Sequence, residues 1–362
     1  MNISFEIAVG DCFPENVKAP AENDLLSILQ EYGIENIRHV RLIDSTHGEQ
    51  DIRLNYIVDL KYVLRFCNAP DMTEARLQGL NRLVGRYRAL DIQCPLFISH
   101  PDGLYLHSRN GLQYYLSEYI DLPLAKDADI SDEARLDREV TESVARFAET
   151  YRNVDLLYTA GMYSLFDLSP FDKEQGIDEK EQNFNALIDC LNRLQREDVA
   201  AKLRQRHQAV RERLRAIYRS LPRCVFQGDE NYSNVLIDSQ QHFRGFIDFN
   251  LAGTEVIVNQ LANLAGFDYD EANLLPVGER QRLDFALRYY RTQMAPVKGI
   301  YRMSPAEEEA IRLYAWIVMV AQWPTLNFFR KYLNEPALAD EIAGLLCLIA
   351  ALPEEELSFD HP

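Results

Sequence analysis

The chain reads as an α+β protein, a small sheet-rich region followed by a larger helical one. Three observations predict this. Short apolar runs separated by turn residues crowd the first third. Apolar residues at helical spacing dominate the remainder. One apolar strand pair interrupts those helices near the centre, between Val225 and Phe249. At 362 residues the chain is long enough for two substantial cores, expected at 1–120 and 121–362.

In the first third, residues 23–32 predict a helix closed by Gly33. Residues 37–43, 52–58 and 62–66 predict strands. The first two are joined by a polar loop containing Thr46, His47 and Gly48, and the last two by a tight turn at Asp59-Leu60-Lys61. His47 reads as solvent-exposed. Arg65 is a lone basic residue among Tyr62, Val63, Leu64 and Phe66. A buried charge is costly unless paired, so Arg65 should have an anionic partner. A helix opens near Asp71 and runs to about Leu90. Its Glu74 either closes a capping box with Asp71 or pairs with Arg65. Residues 96–99, 104–107 and 112–119 predict further strands, with Pro101-Asp102-Gly103 and Asn110-Gly111 as turns.

In the remainder, 132–151 predicts one long helix, 161–176 a loop, and 178–220 two or more Arg-rich amphipathic helices. Helices are also expected at 279–294, 305–333 and 336–352. The apolar run 315–321 reads as a buried helix ended or kinked at Pro324. The tail from Pro353 reads as mobile.

The central segment carries the chemistry. An apolar strand ends in Gly228-Asp229, Asn234 follows five residues after Asp229, and a strand opened by Gly245 delivers Asp248. Ser239-Gln240-Gln241-His242 reads as the intervening hairpin turn. Phosphoryl transfer from a nucleotide needs a carboxylate to orient and deprotonate a hydroxyl, and oxygen ligands to hold Mg2+ on the phosphates. Asp229 fits the first role, and Asn234 and Asp248 fit the second.

These residues resemble the aminoglycoside phosphotransferase and choline kinase family, whose pattern is His-Gly-Asp, four residues, Asn, then Ile-Asp-Phe. Gly228, Asp229, Asn234, Ile247, Asp248 and Phe249 match; Gln227 stands where the family has His. The resemblance implies a protein-kinase-like fold, with a mostly antiparallel β lobe and a larger helical lobe. It implies a Mg2+-dependent small-molecule kinase using ATP or GTP. In such a fold Arg65 reaches the nucleotide phosphates, the loop with Thr46 and Gly48 covers them, and backbone groups near Glu118 and Ile120 meet the adenine edge. The resemblance leaves the acceptor open. A catalytically impaired nucleotide-binding relative is the alternative. A protein kinase is disfavoured by Gln-Gly-Asp in place of His-Arg-Asp and by the lack of Ala-Pro-Glu downstream.

Composition agrees with a cytosolic enzyme. The net charge of −18 argues against nucleic acid or an anionic membrane as a partner. It also motivates a cationic acceptor alcohol, with Glu230 and Glu255 as candidate acceptor-binding residues. No basic and apolar leader opens the sequence, and no apolar run is long enough to cross a bilayer. The six cysteines form no C-x-x-C pair and read as reduced and structural.

Overall fold

A computed structural model describes residues 4–8, 20–46, 48, 51–170, 172–173, 175–271 and 275–358. The expectation for His47 lies outside them. The chain packs as two compact units, Met1–Ile130 with Asn231–Phe249, and Ser131–Glu230 with Asn250–Pro362.

The first unit is built on one sheet. Its strands are β1 (Ser4–Ala8), β2 (His39–Asp44), β3 (Arg53–Val58), β4 (Tyr62–Cys67), β5 (Phe97–Ile98), β6 (His107–Arg109) and β7 (Leu112–Glu118). They run in the order β1-β2-β3-β4-β7-β5, with β6 also on β7. Only the β1–β2 pairing is parallel among the described strands. Helix α1 (Glu22–Glu31) buries Leu25, Ile28 and Leu29 against Val40, Leu42, Leu54, Leu64 and Phe66. The β3–β4 turn places Asp59 and Leu60 at φ of 50° and 53°. Asp59 holds this strained turn by accepting from the N–H groups of Arg38 (3.0 Å) and His39 (2.7 Å).

Helix α2 (Glu74–Arg88) is capped by Thr73, whose hydroxyl accepts from Arg76 N. Both expectations for Glu74 are therefore corrected. Its carboxylate accepts from the N–H groups of Tyr105 and Leu106, each at 2.9 Å, and so anchors the loop before β6. The terminal position belongs to Thr73 because its side chain reaches the first-turn amides.

After β8 (Arg223–Phe226), which belongs to the second unit, the hairpin β9 (Val235–Ile237) and β10 (Phe243–Phe246) returns to the first. Its turn is held by Asp238, which accepts from Gln240 N and His242 N. The hairpin bonds to the first unit through Gln93 N to Arg244 O (2.8 Å), Phe246 N to Gln93 O (2.9 Å) and Ile237 N to Pro123 O (3.0 Å). Gly245 lies inside β10 rather than opening it, and Ile247 and Asp248 follow its end.

The second unit is helical: α3 (Glu133–Tyr151), α4 (Glu179–Arg193), α5 (Glu197–Ile217), α6 (Ile257–Ala265), α7 (Glu279–Ile300), α8 (Pro305–Ala321), α9 (Trp323–Tyr332) and α10 (Ala339–Ala351). Asp132, Asp178 and Ser304 cap α3, α4 and α8 with their side chains. Helix α8 is buried along most of its length, which explains its apolar run. It ends at Ala321, and Pro324 sits in the first turn of α9, where its missing N–H is no loss. Two of the α5 arginines are paired twice over: Arg211 with Asp178 and Glu181, and Arg213 with Glu309 and Glu354. Strand β8 pairs antiparallel with β11 (Gly253–Val256).

The expectation of a mobile tail is corrected up to Ser358. Residues Glu354–Leu357 form a 3-10 turn, Leu357 is fully buried, and Glu354 bridges Arg206 (3.1 Å) and Arg213 (2.5 Å). Burial of Leu357 and the ion pairs of Glu354 with two arginines hold this segment. Among the described residues no helix is long and apolar enough to cross a membrane. Cys67, Cys94, Cys190, Cys224 and Cys347 are free thiols, all buried but Cys347; Cys12 lies outside the described residues.

Candidate active site

In the first unit, Arg65 stands on the central strand β4, opposite Asn55 on one side and Tyr115 on the other. Its side chain is 13% exposed, and its Nη1 lies 3.6 Å from Asp248 Oδ1. Burial works against the Arg65 charge. The Tyr115 phenol, which is hydrogen-bonded to it, and the Asp248 carboxylate outweigh that and hold its pKa above the ordinary arginine range. Burial pushes the Tyr115 phenol up to about 12 despite the nearby guanidinium. The anionic partner expected for Arg65 is thus Asp248.

Asn234 is 6% exposed. Its backbone C=O accepts from Ile247 N at 2.9 Å, which ties the start of β9 to the residue before Asp248. Asp248 has φ of +53°, a left-handed conformation that non-glycine residues adopt at a cost. Asn234, Asp248 and Arg65 therefore belong to one packed unit.

The remaining nucleotide candidates lie on or beside the same sheet, Glu118 ending β7 and Thr46, Gly48 and Ile120 in the adjoining loops. Thr46 is buried; its hydroxyl accepts from Arg53 N (3.0 Å) and its N–H donates to Asp44 Oδ1 (2.8 Å). Gly48 pairs with Asp51 in an isolated bridge. The Glu118 carboxylate pairs with Arg88 (2.6 Å) and accepts from Leu96 N (3.2 Å), so its side chain braces β5. Ile120 follows β7, and its C=O accepts from Leu122 N.

In the second unit, Asp229 ends the segment after β8. Gln227 is fully buried, and its Oε1 accepts from Asp229 N at 2.7 Å. A neutral amide thus supplies a loop-supporting hydrogen bond at the position where the family pattern has histidine. Gly228 has φ of +84°, and a Cβ there would come within 2.8 Å of Leu251 O, so no side chain fits.

Glu230 accepts from Gln260 Nε2 on α6 (2.9 and 3.1 Å) and from Gly228 N (3.4 Å). Burial, joined by the charge of Asp229, pushes its carboxyl up to about 7 against these hydrogen bonds. Glu255 is 2% exposed; its Oε1 accepts from Val256 N, while Oε2 is buried with no hydrogen-bond partner. Burial pushes it up to about 7 as well. Lys180, 1% exposed, lies 3.5 Å from Glu179 and 4.6 Å from the Tyr163 ring; burial lowers its pKa. Burial raises the Tyr163 phenol, aided by Glu230, Glu179, Asp229 and Glu255.

The sequence reading missed α6, β11, Gln260, Tyr163 and Lys180. Helix α6 had a legible signal, since Ile257, Val258, Leu261, Ala262 and Ala265 recur at helical spacing. Tyr163 and Lys180 carried none, because only packing brings them near Glu230 and Glu255.

The phosphotransferase enzyme family model matches residues 39–297, and the chain belongs to that family. With the antiparallel sheet and helical region described above, this defines a protein-kinase-like α+β fold and a kinase or phosphotransferase class of activity. No curated protein matches the sequence. Among solved structures, a microcompartment-associated aminopropanol kinase is similar at 13% identity, covering 91% of this chain and 95% of that one, with a TM-score of 0.49. An amicoumacin kinase in complex with AMP-PNP, Ca2+ and amicoumacin is similar at 11% identity, covering 88% and 89%, with a TM-score of 0.48. The GDP complex of an aminoglycoside 2'-phosphotransferase is similar at 13% identity, covering 90% and 97%, with a TM-score of 0.44.

Proposed function

We propose that this chain is a small-molecule kinase that transfers the terminal phosphoryl group of ATP or GTP to a hydroxyl of a small polar acceptor. The observation that supports this most is the retention of the family's Asp229, Asn234 and Asp248 together with Arg65 paired to Asp248. In the reaction Asp229 accepts a hydrogen bond from the acceptor hydroxyl. It takes that proton as the new oxygen–phosphorus bond forms and the bond to the nucleoside diphosphate breaks. Arg65 neutralises phosphate charge, the segment with Thr46 and Gly48 covers the phosphates, and backbone at Glu118 and Ile120 meets the base. Residues 1–120 serve as the nucleotide lobe and 121–362 as the acceptor lobe, with the hairpin 231–249 packed on the former.

The donor set suits Mg2+: an amide oxygen from Asn234 and carboxylate oxygens from Asp248 are hard ligands for a hard cation. When bound, the ion would neutralise charge on the transferring phosphates.

For the acceptor we propose a cationic alcohol, an amino alcohol or aminoglycoside. Glu230 is the contact we favour. Glu255, at 2% exposure and raised to about 7 by burial, adds negative potential from behind the surface only above that pH, where it is ionised. An ammonium group beside Glu230 would also favour its charged form.

The test is a panel of small alcohols scored for nucleotide turnover by the native chain and by Asp229→Asn. We expect the native chain to turn over at least one cationic alcohol. The variant should lose about 10²–10⁴-fold in turnover with nearly unchanged nucleotide affinity. Near-native turnover by Asp229→Asn would remove the assignment of the base.

A further inference from the structure

We propose that His100, Asp102 and His107 form a zinc-class metal site, separate from the residues assigned to phosphoryl transfer. The three residues frame the loop between β5 and β6. Their ligand atoms all lie within 4.8 Å of one another. Asp102 Oδ1 is 3.3 Å from His100 Nδ1 and 3.6 Å from His107 Nε2. A tetrahedral ion with bonds of roughly 2.0–2.1 Å sets its ligand atoms about 3.3 Å apart, so both separations sit near a tetrahedral edge.

A second observation points the same way. His100 Nε2 and His107 Nε2 are buried without a hydrogen-bond partner, His100 Nδ1 has only the Asp102 carboxylate beside it, and the hydroxyl of Tyr32, whose ring packs edge-on against His100 at 5.2 Å, is likewise unpaired. Buried polar atoms in native proteins are almost always satisfied. A cation held by His100 Nδ1, His107 Nε2 and Asp102 would satisfy one nitrogen of each imidazole and the carboxylate together.

The loop is also preorganised. His100 N donates to Leu104 O and Gly103 N to His100 O, each at 2.8 Å. Asp102 Oδ1 accepts from Leu104 N at 2.9 Å, and Glu74 holds the next two amides. With His100 Nδ1 on the metal, its Nε2 is left 3.9 Å from Glu31 Oε2, close enough for a small ring movement to bring them together. That carboxylate would fix the tautomer and orient the ring, as outer carboxylates do for metal-bound histidines. Glu31 is itself oriented by Arg109 at 2.8 Å. Asp102 is exposed, so an ion can enter.

Two imidazoles and one carboxylate select zinc and its first-row neighbours over Mg2+ and Ca2+, which prefer oxygen throughout. The ion would tie both ends of the loop together, a structural role on the first unit.

The full chain is stripped with chelator, desalted, and titrated with zinc chloride in the presence of excess MgCl2. We expect one zinc per chain retained after desalting and a higher Tm. Each of His100→Gln and His107→Gln should weaken binding at least 100-fold, and Glu31→Gln by about 10–100-fold. His242→Gln, on the distant hairpin turn, should leave it unchanged. Cobalt(II) on the unmodified chain should give the intense visible absorption of a four-coordinate, nitrogen-containing site. This arm does not depend on whether a variant folds. No retained zinc, retention in both histidine variants equal to that of the unmodified chain, or a weak all-oxygen cobalt spectrum would each overturn the site.

Discussion

Arg65 and Asp248 show how a charge is kept on a central strand. The guanidinium is held on β4 among apolar neighbours, and its charge is tolerated because Tyr115 and Asp248 lie against it. On the proposed role of Arg65 at the nucleotide phosphates, Arg65→Ala removes that charge and leaves Asp248 without its cation. The nucleotide KM should rise by tenfold or more while the acceptor KM changes little, read from initial rates with each substrate varied. Asp248→Ala should abolish Mg2+-supported nucleotide binding, and Asn234→Ala should weaken it, both by calorimetry. An unchanged nucleotide KM in Arg65→Ala would make that residue structural.

Glu255 gives a residue-scale prediction for stability. Its carboxyl is raised from 4.5 to about 7 by burial, so the folded chain holds a proton that the unfolded chain releases. The stability linked to that proton is fully present below 4.5 and is lost as pH rises through 7. Glu255→Gln keeps the shape and the Val256 hydrogen bond but cannot ionise. It should be more stable than the native chain at pH 8, on the order of 2 kcal/mol, and indistinguishable from it near pH 4. Denaturant melts at the two pH values read this directly. Equal stabilities at pH 8 would show that Glu255 is not buried as a charge.

At the scale of elements, the β9–β10 hairpin determines whether Asn234 and Asp248 stand where they do. It is fastened to Gln93 by two backbone hydrogen bonds, and Tyr87 packs against Phe246 and Phe249. At Gly245 a Cβ would come within 1.7 Å of Gln93 O, a backbone atom that cannot step aside. Gly245→Ala should therefore lose both stability and Mg2+-dependent nucleotide binding, whereas alanine at Gly103, where the added Cβ meets nothing within 4 Å, should cost only its backbone strain. Thermal melts and nucleotide titrations of the two variants make the comparison. A Gly245→Ala chain with native binding would mean that the hairpin can shift on its seat.

At the scale of the whole molecule, the charge of −18 sets a field as well as solubility. A cationic acceptor should lose kcat/KM as salt rises from low to physiological strength, because screening shortens the field to about 8 Å. A neutral acceptor should not. Turnover confined to neutral or anionic alcohols would remove the charge argument and leave the kinase reading intact.

The sequence by itself determined the fold class, most of the elements and the family. The Asp229, Asn234 and Asp248 spacing, the turns at Asp59 and Asn110, and the helical period of α3 to α5 are local signals, written within a few residues of one another. Tertiary structure alone decided the rest. Sequence called for an anion beside Arg65 but could not name Asp248, which lies 183 positions further on. It offered Glu74 two partners, and the fold gave it the amides of Tyr105 and Leu106 instead. It read the acidic tail as mobile, and arginines on α5 fixed it. It put Asp102 in a turn and His107 at a strand end, and the fold brings both beside His100. The physical reason is the same in each case. Helix and turn preferences act through neighbours in the chain, while the partner of a buried charge is chosen by burial and by the packing of segments distant in sequence.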